Sequence, residues 1–322
     1  MDIISEHSDK DSTVTVAVHS GRANADDMMV AAVMQLWAWH WGRILVVVRS
    51  RDPKVLEKAD MRFDVGGKYD PLTHDYDHHQ REGRPDPRPN GVPYSAAGLA
   101  WKHFGLCLCG NDEAIHARVD EKIFQSIDAL DNGVGTTRIG LGEAEHCTLT
   151  EVLDGFNATF EETMLSQDNC FDEGAVYARR ALSRAIAQAR AHVRLAPTVS
   201  MEIAKHGTRG AHDALDLTAY GGLNGWGVSE QLIPTTYSLF VFRDLDGDYM
   251  VQTVPPSADK PFEQKVPFPA AWAGLREGAL ATLSGLPSAI FVHQAKFIGG
   301  CREREDALKM AQAVLDVHAK VG

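Results

Sequence analysis

The chain is 322 residues long, 44% hydrophobic, and carries a formal net charge of −12, which provides for a sizeable core in one large domain or two smaller ones. No apolar run approaches the roughly twenty residues of a membrane-spanning helix, and Met1–Asp11, with four acidic residues and one lysine, is the opposite of a secretory or mitochondrial leader. A cytoplasmic protein is expected, and the charge balance favours short or small phosphate substrates over long duplexes, which need clustered Lys and Arg.

Val14, Val16 and Val18 predict a first strand that ends at His19. Ser20 to Asp27 then leads into the apolar segment Met28–Trp41, with Asp26 and Asp27 where a helix begins. The helix dipole favours carboxylates there, and capping alone explains one of the two. Ile44–Val48 predicts a second strand ending at Arg49, and Met61–Val65 a third with Asp64 near its end. Ligands of open α/β sheets collect beyond the carboxyl ends of the strands, so His19, Arg49 and Asp64 are expected on one rim.

Tyr76-Asp77-His78-His79-Gln80 follows. Neighbouring side chains on an extended backbone point to opposite sides, so one histidine can ligate a metal while the other faces what the metal binds. Carboxylates mixed with imidazoles suit Mn²⁺ or Mg²⁺ better than a thiolate-rich zinc site. Arg81, Arg84 and Arg88, in the proline-rich loop that comes next, read either as a solvated linker or as clamps on phosphate oxygens.

Ser95 is placed to cap a helix through about His103, and Val119–Leu130 carries the apolar face of another. Asp128 and Asp131, three apart near its end, are alternative ligands. Asp131 is favoured because Asn132-Gly133 ends the helix beside it. Gly140–His192 reads as a polar helical bridge or insertion containing the loop-like Ser166–Asn169. Its basic run Arg179, Arg180, Arg184 and Arg190 flanks an apolar face of Ala178, Leu182, Ile186, Ala189 and Val193, which is a core face with a solvated edge.

From Met201 the pattern turns to strands. Tyr237–Phe242 and Tyr249–Val254 flank Asp244–Asp248, a hairpin signal that lacks the spacing and terminal glutamate of a calcium loop. Ser288–Val292 reads as a strand and Ala307–His318 as a closing helix. Phe297-Ile298-Gly299-Gly300 puts two glycines where backbone amides can approach a phosphate or ribose, with His293, Lys296 and Arg302 in reach. Trp226 and Trp272 could stack bases, although lone tryptophans are more often core. The five cysteines are irregularly spaced and outline no disulfide framework, which suits a reducing compartment.

His19 with Asp26, then Asp64, then Asp77-His78-His79 resembles the successive motifs of the DHH phosphoesterase superfamily. The flanking text is similar to one branch, the melanocyte-proliferating-gene (Myg-type) exonuclease family. Matching stretches are Val65-Gly66-Gly67 with Tyr69-Asp70-Pro71, His78-His79-Gln80-Arg81, Tyr94–Leu99, Asp128–Gly133, Phe291-Val292-His293 and Phe297–Gly300. The resemblance spans about Val14 to Ala313.

Together with the element pattern it divides the α/β chain into a DHH-type metal-binding catalytic domain with a mainly parallel sheet over 1–140, a helical bridge or insertion over 141–200, and an α/β substrate-binding domain over 201–322. It implies a divalent-metal phosphodiesterase, a 3′-to-5′ exonuclease on single-stranded RNA or short oligonucleotides, with two Mn²⁺ or Mg²⁺ ions. One ion falls to His19, Asn24 and Asp64, the other to Asp26, Asp64, His78 and Asp131, with Asp64 bridging. His79 faces substrate, Asp77 orients a histidine, Arg88 acts on phosphate, and Arg81, His293, Lys296, Gly299 and Gly300 bind substrate.

At Asn24 the family pattern has a histidine, and an amide oxygen is the weaker, neutral ligand. A small-molecule phosphatase or pyrophosphatase using the same centre, and a catalytically weakened nucleotide- or RNA-binding protein, are the rival readings. The sequence allows an oligomer without specifying one.

Overall fold

The computed structural model describes residues 13–134, 147–162, 166–207 and 212–319. Two compact units divide the chain, Met1–Arg190 and Ala191–Gly322.

The first unit opens with β1 (Thr13–Val18), α1 (Ala25–His40), β2 (Ile44–Arg49), the short α2 (Pro53–Leu56), β3 (Met61–Phe63), β4 (Tyr69–Asp70) and β5 (Asp75–Tyr76). The sheet order is β2-β1-β3-β5-β4. The β2-β1, β1-β3 and β3-β5 pairs are parallel and only β5-β4 is antiparallel, so the expected mainly parallel sheet is present. Helix α1 is buried on nearly every side, from Met28 through Met34 and again at Trp37 and Ala38, as befits a helix apolar all round. It packs on α3 (Ala96–Leu108).

After α3 come α4 (Glu113–Val119), a π-helical turn (Asp120–Phe124) and α5 (Gln125–Asp131). The sequence pattern over Val119–Leu130 showed one helix and concealed this wider turn. Helix α6 (Leu149–Asp154) is fastened by a capping box between Thr148 and Glu151. Helix α7 (Gln167–His206) runs across the boundary between the units. The loop expected at Ser166–Asn169 is instead its first turn, where the Ser166 hydroxyl accepts the Asp168 N–H. Ala178, Leu182, Ile186 and Ala189 are buried along it, as their spacing predicts. Residues 140–146 and 163–165 of the expected bridge lie outside the described residues.

In the second unit, β6 (Asp213–Gly221), α8 (Gly225–Leu232), β7 (Tyr237–Arg243), β8 (Tyr249–Thr253), α9 (Glu277–Ser284), β9 (Ala289–Val292), β10 (Ile298–Cys301) and α10 (Arg304–Ala319) follow in order. Its sheet runs β6-β7-β8-β10-β9 and mixes one parallel with three antiparallel pairs. Strand β7 is buried on both faces because its alternate residues enter different cores. Leu239 and Val241 pack towards α10, while Phe240 and Phe242 pack towards Leu195 of α7 and Val228 and Leu232 of α8. The β7-β8 hairpin is the one expected, and its Asp244 carboxylate accepts three backbone N–H groups of its own turn rather than forming a calcium loop. Among the described residues no helix is long and apolar enough to cross a membrane.

Candidate metal centre

Parallel strands deliver the chemistry to one edge of the first sheet. His19 stands one residue past β1, and Asp64 one residue past β3, which stops at Phe63 rather than continuing to Val65. Asp64 has φ 58°, the left-handed region that side chains other than glycine seldom adopt. The turn sends its carboxylate between three imidazoles. His19 Nε2 lies 3.5 Å from Asp64 Oδ2, while His78 Nε2 and His79 Nδ1 each lie 3.2 Å from Asp64 Oδ1.

His78 and His79 do not diverge as an extended backbone would have them; their ring centroids are 4.2 Å apart. Exposure separates them instead, with side chains 3% and 62% accessible. His78 Nε2 also meets Asp131 Oδ2 at 3.2 Å, which places Asp131 at the cluster. Asp128, the alternative, is turned away into a buried network with Ser95 and Arg88.

Three groups each offer ligand atoms that lie within 4.8 Å of one another: His19, Asp27 and Asp64; Asp64, His78 and His79; Asp26, His78 and Asp131. Asp27 is the member that sequence reasoning passed over. Its Oδ2 pairs with His19 Nε2 at 2.6 Å, and neither buried carboxylate oxygen has any other hydrogen-bond partner. The signal was the Asp26-Asp27 pair at the helix start, of which capping accounts for neither. The cap is Asn24, whose side-chain oxygen accepts the Asp27 N–H at 2.9 Å. That bond engages the oxygen expected to ligate, and the Asn24 amide nitrogen faces Asp131 Oδ1 at 3.5 Å.

The electrostatics are those of carboxylates crowded out of water. Burial raises the Asp27 carboxyl to about 6, and burial with Asp131 and Asp64 close by pushes Asp26 well above the ordinary range. Asp131 is raised by burial too. Burial on its own would depress His19 and His78, but the facing carboxylates outweigh it and both imidazoles shift upward. Four acidic side chains, one of them buried with only an imidazole against it, and three imidazoles fit divalent cations, whose charge would relieve the repulsion. Asp77 stands outside the cluster. It accepts the N–H groups of Gly67 and His79 at 2.7 and 2.9 Å and touches His79 Nδ1 at 3.0 Å, bonds that hold its carboxyl low against burial.

The other expected residues fall elsewhere. Arg88 is 5% exposed and gripped by Asp120 and Asp128, so its guanidinium is spent inside the fold. Arg81 is exposed and Arg84 donates to Asn132. Arg49 is tied to Asp168 and to the carbonyl of Gly21.

In the second unit, Gly299 and Gly300 lie inside β10, paired to β8 and β9. A Cβ there would meet Phe268 or Met250 at 3.0 Å, so both glycines stand where the strand is closely packed. His293 and Lys296 sit in the β9-β10 turn, with Lys296 at φ 62°. His293 also lines a cavity of about 380 Å³ with Gly274, Arg276, Phe291, Val292 and Gln294. Trp226, 51% exposed, stacks on Phe297 at 6.1 Å, and Phe297 meets His293 at 4.8 Å. Trp272 is core.

A parallel sheet with carboxylates and imidazoles gathered at its strand ends defines a metal-binding enzyme domain. A family model, MYG1_exonuc, described as "Uncharacterised protein family (UPF0160)", matches residues 15–315. The MYG1 exonuclease of Rattus norvegicus is 31% identical over 93% of this chain and 84% of its own length. The MYG1 protein C694.04c of Schizosaccharomyces pombe is 30% identical over 94% and 98%. The chain therefore belongs to the MYG1 exonuclease family, and it is a metal-dependent hydrolase of the nuclease or phosphoesterase kind. Among solved structures, RecJ of Thermus thermophilus in complex with Mn²⁺ is similar at 15% identity and a TM-score of 0.27, over 96% of this chain and 52% of that one. This chain thus spans about half of RecJ.

Proposed function

We propose that this protein is a phosphodiesterase dependent on two Mn²⁺ or Mg²⁺ ions, which removes nucleotides in the 3′-to-5′ direction from single-stranded RNA or short oligonucleotides. The observation that carries the proposal is Asp64, with one oxygen turned to His19 and the other to His78 and His79, the disposition of a carboxylate shared by two cation positions. His19, Asp27 and Asp64 would hold one ion, and Asp26, Asp64, His78 and Asp131 the other. Asn24 leaves this set because its oxygen caps α1, and Asp27 enters it.

When bound, the ions supply Lewis acidity and an activated water. The chain's own residues do the rest. Asp77 fixes the His79 ring through Nδ1, which leaves the other nitrogen of an exposed imidazole to donate to a phosphate oxygen or the leaving group. His293, Lys296 and the Trp226–Phe297 stack offer a cation and aromatic faces for a nucleotide. The polarity of digestion and the preference for RNA rest on the family resemblance. Five free cysteines suit a cytoplasmic setting. The net charge of −12 favours the second reading, a phosphatase or pyrophosphatase acting on small molecules.

End-labelled RNA oligomers, a dinucleotide and pyrophosphate, each assayed with Mn²⁺ and with EDTA, separate these readings. Stepwise loss from the 3′ end, abolished by EDTA, is the expected result. Asp64→Asn should lower the rate by more than the roughly 10–100-fold that losing an outer partner of a metal ligand costs. Cleavage of pyrophosphate with intact RNA establishes the small-molecule reading, and inert behaviour towards all three contradicts the proposed phosphodiesterase.

A further inference from the structure

Helix α3 begins on a serine that does not cap it. Ser95 is its N-cap residue, yet the hydroxyl makes no bond to the amides of its own helix. Two other helices supply the cap. The Ala97 and Ala96 N–H groups donate to Asp26 of α1 at 2.6 and 3.2 Å, and the Gly98 N–H donates to Asp128 of α5 at 3.1 Å. The Ser95 hydroxyl lies between the two carboxylates, 2.5 Å from Asp26 Oδ1 and 2.5 Å from Asp128 Oδ1. Ser95, Asp26 and Asp128 are all at most 1% exposed. A Cβ on Gly98 would stand 1.8 Å from Asp128 Oδ2, so glycine alone leaves room for that carboxylate.

Arg88 supports the arrangement from behind. It donates through Nε and Nη2 to Asp120 at 2.8 and 2.6 Å, and Nη2 is 2.7 Å from Asp128 Oδ2. Asp120 opens the π-helical turn, which explains how one arginine reaches both. Eight residues of unbroken α-helix would set Asp120 and Asp128 about 80° apart. The residue absorbed by the wider turn reduces the separation to that of a heptad, about 20°, and both carboxylates then face Arg88.

We propose that Ser95 is a positioning residue of the metal centre, donating its one hydroxyl proton to Asp26 and so locking that carboxylate in the orientation in which it ligates, with Asp128, Arg88 and Asp120 packed behind it. The inference rests on the reading of Asp26 as a ligand. Three donors on one carboxylate, two of them amides at the N-terminus of α3, fix its torsion. Asp26 Oδ1 takes two of these donors and Oδ2 only the longest, so Oδ2 keeps a lone pair for an ion.

Mn²⁺ titration by calorimetry on wild type, Ser95→Ala and Ser95→Thr, with thermal unfolding of each in EDTA, tests the role. Ser95→Ala should bind one of the ions about ten-fold more weakly or worse, while its metal-free unfolding temperature stays near that of wild type. Ser95→Thr, which keeps the hydroxyl, should restore most of the affinity. A Ser95→Ala isotherm that superimposes on that of wild type overturns the proposal. So does an affinity loss that Ser95→Thr shares in step with a matching loss of metal-free stability, because that marks a purely structural serine. Wild type that binds no Mn²⁺ overturns the metal centre itself, and the role of Ser95 with it.

Discussion

Asp64 shows how much a single backbone angle can decide. Its φ of 58° costs a non-glycine residue on the order of 1 kcal/mol or more, and such strain persists where the surroundings hold it. Here it turns one carboxylate towards His19 and His78 together. That Asp64, His19, His78 and Asp131 converge was legible in the sequence, because strand ends and a helix end located them. That Asp27 stands in the cluster while Asn24 caps α1 was not, since which of three nearby polar residues caps a helix depends on hydrogen bonds that spacing does not report.

His103, outside the centre, is shifted in the opposite sense to His19 and His78. Burial, with Lys102 and His74 nearby, lowers it to about 4, and its Nε2 contacts the Tyr69 hydroxyl at 3.0 Å. The unfolded chain regains a proton near the ordinary 6.5, so stability present above that pH is lost as the pH falls towards 4. Unfolding temperatures measured from pH 7 to pH 5 should therefore decline less steeply in His103→Gln than in wild type. Parallel declines would remove His103 from the account.

At the scale of elements, the strands and helices that position the site follow from apolar period and caps. The departures from pattern are where the chemistry is supported. Ser95 was readable as an N-cap, but its hydroxyl stands between carboxylates of α1 and α5, a contact between residues far apart in sequence. The π-helical turn was hidden because Ile123, Phe124 and Ile127 satisfy a helical pattern with or without the extra residue. Gly98→Ala tests this packing: a methyl driven into Asp128 should destabilise by about 1–3 kcal/mol. Gly278→Ala in α9, where a Cβ meets nothing within 4 Å, should be neutral or stabilising by up to about 1 kcal/mol. Equal unfolding free energies for the two variants would contradict the close approach at Gly98.

For the whole molecule, the chain is divided into two units, each with its own sheet and core. Both sheets were expected from the order of strands and helices. The packing of Gly299 and Gly300 was not, because a glycine pair reads alike whether it serves a ligand or a tight strand. The net charge of −12 is compatible with a phosphate substrate to the extent that its acidic centre takes up cations.

Metal content per chain is therefore the measurement that bears most directly on the account, made on wild type, Asp64→Asn, His78→Ala and His79→Ala after Mn²⁺ loading and desalting. Two ions should remain on wild type, and His79→Ala should keep them while losing turnover. Asp64→Asn should lose both, and His78→Ala at least one. Identical metal content in all four proteins, or none in wild type, would contradict a centre built on Asp64 and His78.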